Sequence, residues 1–141
     1  PYVIAVNRSG IGYVDPGLPL ILKALFGIGY QALRIMVGGV GQEKPESFWT
    51  GRPKIGKRSG SDVPMLFFED IAHSGISAVI YCMDSILDSP RLPREMGENL
   101  VIVHNPLAKN PLPDGFFPFG DEHRVAGGHI NKIRKRKNYE H

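Results

Sequence analysis

Apolar residues occur along the chain in short blocks separated by glycine, proline and charge. Tyr2-Val3-Ile4-Ala5-Val6 run together without alternation. That is the pattern of a central strand covered on both faces, as in a parallel or mixed α/β sheet. A chain opening on such a strand, with no polar lead-in, reads as part of a larger domain cut at its N-terminus. Leu18, Ile21, Leu22, Leu25 and Phe26 then recur at helical spacing with Lys23 opposite. This predicts an amphipathic helix over 16–26 packed on the first strand. Asp15 suits its cap, Pro16 its first position and Gly27 its end.

Beyond the helix, Ala32 to Val37 is read as a strand, and 38–62 as a long loop of glycine, proline and charge. Residues 63–73 suit a short apolar helix or an extended segment. The β-branched and aromatic content of 75–83 and 99–104 predicts two further strands. Pro106, Pro111, Pro113 and Pro118 make 105–120 extended and irregular. The expected architecture is therefore α/β: a small mixed β-sheet, one amphipathic helix packed on it, and a long irregular Pro-rich C-terminal arm. Residues 1–120 form the domain and 121–141 a basic tail, with 129–137 suited to a short helix.

Composition narrows the class. The 141 residues, 42% hydrophobic and 22% charged, suffice for one globular domain. No apolar run approaches the roughly 18–20 residues of a membrane span. A single cysteine, Cys82, excludes an internal disulfide framework and a multi-cysteine zinc site. It points to a reducing, cytoplasmic compartment, and its place among apolar strand residues suits a packed, inert thiol. The net charge of +3 is unevenly spread. Through Asn131 there are twelve Lys/Arg against thirteen Asp/Glu, and the last ten residues carry five against one.

Candidate chemistry is sparse. Arg52, Lys54, Lys57 and Arg58 crowd four cations into the long loop, and Lys132, Arg134, Lys135, Arg136 and Lys137 crowd five into the tail. Both groups are candidates for phosphate contacts with nucleic acid, and both equally suit solvated surface. Gly51 to Ser59 nearly spells a phosphate-binding loop, but Arg58 stands where a magnesium-holding Ser/Thr is needed. His123, His129 and Asn131 loosely resemble an HNH nuclease at compressed spacing. His104-Asn105-Pro106 places two polar side chains where a strand meets a rigid segment. Such a position suits either a site or a turn held by its own side chains.

Four segments carry a resemblance. They are Pro1-Tyr2-Val3-Ile4-Ala5-Val6-Asn7, Ala24-Leu25-Phe26-Gly27, Ile76-Ser77-Ala78-Val79-Ile80, and the run from His104-Asn105-Pro106 through Leu107-Ala108-Lys109-Asn110 to Pro113. In that order, over residues 1–120, the chain resembles the C-terminal half of an uncharacterised bacterial family grouped with the PD-(D/E)XK, restriction-endonuclease-like nucleases. The resemblance implies the C-terminal portion of a magnesium-dependent DNA endonuclease, with the acidic Glu-x-Lys hairpin upstream of Pro1. It carries over no catalytic residue, and no cofactor is expected in this chain itself. A non-catalytic nucleic-acid-binding or protein-interaction module is the alternative, and the partner expected is DNA rather than a membrane.

Overall fold

The computed structural model describes residues 1–7, 18–34, 46–83 and 97–134. The fold is mixed α/β and mostly strand. Two compact units divide it: residues 1–19 with 68–141, and residues 20–67.

The first unit holds a five-stranded mixed sheet. Its strands are β1 (Val3–Asn7), followed in the chain, after the strands of the second unit, by β6 (Ala78–Cys82), β7 (Leu100–His104), β8 (Asp121–Ala126) and β9 (His129–Arg134). The spatial order is the same, with β1 parallel to β6, β6 antiparallel to β7, β7 parallel to β8 and β8 antiparallel to β9. β1 was expected at the centre and lies instead at one edge of this sheet, with Val6 40% exposed. An unbroken apolar run identifies a strand but does not say how many neighbours it has.

Register places Val3, Ala78, Ile80, Ile102, His104 and Glu122 on one face of the sheet. That face is covered from within. Ala78, Ile102 and Leu112 form a buried cluster against which Val3, Ile80 and Phe117 pack. Leu112 and Phe117 come from 105–120, the segment expected to be an arm. Because β7 and β8 are parallel, their connection must cross back over the sheet, a path usually taken by a helix. The prolines forbid a helix here, so the crossover is an irregular strap whose apolar side chains close the core.

Residues 121–134, expected to begin the basic tail, supply β8 and β9. The helix suited to 129–137 is replaced by a strand over the described residues because Gly127 and Gly128 both take positive φ, 60° and 76°. That is the turn geometry that closes a two-residue hairpin. Residues 135–141 lie outside the described part.

The second unit comprises α1 (Leu20–Phe26), β2 (Ile28–Arg34), β3 (Glu46–Gly51), β4 (Lys54–Gly56) and β5 (Asp62–Pro64). β2 pairs antiparallel with β3, and β4 with β5. Ile21, Leu22 and Leu25 are buried, and Gly27 ends the helix at φ 60°. Asp15 and Pro16 fall outside the described residues. The helix and β1, expected to pack together, belong to different units. The strand read at 32–37 begins four residues earlier, at Ile28. The loop read at 38–62 contains β3 and β4 and runs into β5, so its described part is largely hairpin. Phe48, Trp49 and Thr50 favour a strand, and the Lys54–Asp62 ion pair at 2.6 Å ties β4 to β5.

Candidate functional site

His104 ends β7 and is 2% exposed. Its Nε2 lies 2.6 Å from Glu122 Oε1, and Arg124 Nη2 lies 3.0 Å from its Nδ1. A guanidinium can only donate. Nδ1 therefore accepts, and Nε2 carries the proton it donates to Glu122. Glu122 is fully buried and also accepts from the Gly115 amide, at 3.2 Å on Oε1 and 3.1 Å on Oε2. Arg124 donates to the Leu112 carbonyl at 2.7 Å and pairs with Asp114 at 2.8 Å. The chain Glu122–His104–Arg124–Asp114 thus fastens the strap to the face it covers.

Asn105, the next residue, does similar work on the other side of the turn. Its Nδ2 donates to the His73 and Ile76 carbonyls at 3.1 and 2.8 Å, and its Oδ1 accepts from the Leu107 amide at 2.9 Å. Ser77 Oγ accepts from the Tyr2 amide at 3.0 Å and donates to the Asn110 carbonyl at 2.7 Å. Both polar residues singled out at this position are therefore buried and engaged. Asn105 holds backbone, as the turn reading has it, whereas His104 holds side chains from the neighbouring strand. Their geometry is that of a clamp. A histidine with both nitrogens occupied beneath a covering segment has no free atom to offer a substrate.

Glu122 and Arg124 were not singled out from sequence. Their partner lies 18 and 20 residues away, and no local spacing announces it.

His123 projects to the opposite face and its pKa is pushed below 6.5, first by burial, then by Lys132, with Asp121 opposing. The unfolded state then binds this proton more readily than the folded one. Stability is expected to rise with pH through the window between the folded value and about 6.5, and to fall as pH drops through it. Urea unfolding of His123→Gln between about pH 5 and 7 is expected to show a flatter pH dependence than the native chain; an unchanged slope would remove His123 as its cause.

Magnesium is the metal the resemblance implies. Among the described residues no three His, Cys, Asp or Glu side chains come together as a metal-binding group. Glu122 spends both oxygens on protein donors, and Asp121 pairs with Lys132 at 2.8 Å. These carboxylates do not fit a catalytic magnesium. The HNH-like grouping is not formed either: His129 and Asn131 pair with Ala126 and Arg124, which puts them on the face opposite His123. The segment 51–59 forms the end of β3, then β4 and a turn, and no helix follows it as phosphate cradling requires.

The basic residues separate into paired and open ones. Lys54 is held by Asp62 and Lys132 by Asp121. Arg52, Lys57 and Arg58 are exposed, the last two in the turn between β4 and β5. Arg134 ends β9, and Lys135, Arg136 and Lys137 lie outside the described residues. Cys82 is half-buried, with Asn99 Nδ2 3.4 Å from its Sγ.

Compared with protein-family profiles, with curated proteins and with solved structures, the chain has no match. Among the described residues no helix is long and apolar enough to cross a membrane.

Proposed function

We propose that this chain is a nucleic-acid-contacting part of a DNA-processing protein, holding phosphates through the β4–β5 hairpin and the basic C-terminal residues. One observation carries the reading. Residues 20–67 contain seven Lys/Arg against three Asp/Glu, while the other unit carries ten against eleven. The excess positive charge is concentrated in a unit of 48 residues, where Arg52, Lys57 and Arg58 stand open to solvent. Clustered, solvent-facing cations raise local affinity for a polyanion regardless of its sequence.

The resemblance supplies the context: the C-terminal portion of a cytoplasmic, bacterial, magnesium-dependent endonuclease of restriction-like type, with its catalytic hairpin elsewhere. The clamp at His104 and Asn105 then serves the scaffold and not the chemistry. The test is binding of a labelled DNA duplex at low salt. Substituting Arg52, Lys57 and Arg58 together by Ala is expected to weaken it by at least about 30-fold, since each lost phosphate contact weakens all sequences alike. The native chain with magnesium is expected to leave the duplex intact. Unchanged affinity in the triple variant would refute the hairpin assignment, and metal-dependent cutting by this chain would refute the location of the catalytic residues.

A further inference from the structure

The second unit presents aromatic rings that its own core does not use. β2 pairs with β3 so that Ala32 opposes Phe48 and Gln31 opposes Trp49, with a bulge between Ile28 and Gln31. Opposite the bulge, Thr50 Oγ1 accepts from the Tyr30 amide and donates to the Tyr30 carbonyl, both at 3.0 Å. Phe48 and Thr50 project to one face by the two-residue period, and Tyr30, lying across from Thr50, projects with them. The opposite face carries Trp49, 40% exposed, and Leu33, 65% exposed, and there the Lys23 Nζ of the helix sits 5.3 Å from the centre of the Trp49 ring.

The Phe48 face carries Tyr30, 69% exposed, and Phe48 itself, 39% exposed. Beside them the Arg34 guanidinium stacks 5.3 Å from the Phe48 ring while reaching Glu46 at 3.5 Å. Arg52 follows β3 directly, and Lys57 and Arg58 occupy the next turn. Flat aromatic rings on a sheet, followed within a few residues of chain by open cations, supply the two elements that hold unpaired bases: stacking planes and phosphate contacts. A duplex keeps its bases stacked on one another and offers no planes to such rings. The four excess cations of this unit favour a polyanion over a protein surface of mixed charge.

We infer that the Tyr30–Phe48 face is a stacking site for single-stranded nucleic acid, with Arg52, Lys57 and Arg58 holding the adjoining phosphates. This rests on the phosphate-binding reading above and adds to it the strandedness of the ligand and the residues that select it.

The experiment measures anisotropy of labelled oligo-dT, oligo-rU and a DNA duplex of equal length against the full chain and the double variant Tyr30→Ala/Phe48→Ala. Emission of Trp49, the single tryptophan, reports that the variant is folded. The expected result is a loss of about 30-fold or more for single strands, at about 5-fold or more per stacked ring, with duplex affinity changed less than about 2-fold. Equal losses for dT and rU assign the site to unpaired bases of either sugar; a loss confined to one assigns it to that nucleic acid. Should the folded variant keep its single-strand affinity while duplex binding persists, the stacking site is refuted, the phosphate reading stands, and the face is left to a protein partner. If neither single strand nor duplex binds the native chain, both readings fall. A variant that does not fold is replaced by Tyr30→Leu/Phe48→Leu, which keeps apolar volume but removes the stacking plane, with the same outcomes read.

Discussion

Glu122→Ala is expected to cost about 3–5 kcal/mol of folding stability, the largest effect of any single substitution argued from this fold. The carboxylate is fully buried and accepts from His104 Nε2 and from the Gly115 amide. Truncation leaves both donors buried without an acceptor. Domains of this size are stable by only about 5–15 kcal/mol, so the variant should unfold at a much lower urea concentration, read by circular dichroism. Glu122→Gln keeps one acceptor oxygen and should cost less, about 1–3 kcal/mol. Because the network fastens the strap, limited proteolysis of Glu122→Ala should cut within 105–120 before the sheet unfolds. A midpoint equal to that of the native chain would mean that Glu122 is not the fastening point.

The outline of the sheet was legible in the sequence where composition is decisive. The runs around Val79 and Val101 are β-branched and bounded by turns, and both are strands with the register of a shared core. Gly27 ends its helix because a residue at φ 60° is needed there. Position within the sheet was not legible, since Val3 and Ile4 look the same whether one neighbour or two lie beside them. Phe48 and Trp49 were hidden by the Gly, Pro and charge around them, and pairing with Gln31 and Ala32 decides their state. Val125-Ala126-Gly127-Gly128-His129-Ile130 contained a usable hairpin signal that the basic character of the following residues obscured. The clamp is the least local feature. His104 and Asn105 stand out at a strand end, yet what they hold depends on which strand lies beside β7, and only the fold supplies Glu122 and Arg124.

The second large effect concerns salt. Of the nine basic residues marked for nucleic acid, Lys54 and Lys132 already carry carboxylate partners. Seven remain: Arg52, Lys57, Arg58, Arg134, Lys135, Arg136 and Lys137. Neutralising one phosphate each, they set a log–log salt slope of at most about −6 for duplex DNA. Affinity would then fall by on the order of 10³-fold between about 50 and about 200 mM salt. The fold also dictates how the tail is to be removed. Truncation before Lys132 would cut into β9 and disturb the sheet, so the informative deletion is residues 135–141.

The salt slope of duplex binding, measured on the native chain, on Arg52→Ala/Lys57→Ala/Arg58→Ala and on the chain ending at Arg134, tests the phosphate-contact account most directly. The account predicts a slope that flattens by about 3 in the hairpin variant and by about 3 in the truncated chain, with affinity falling alike for unrelated sequences. A slope near zero in the native chain, or one that neither change reduces, would contradict it.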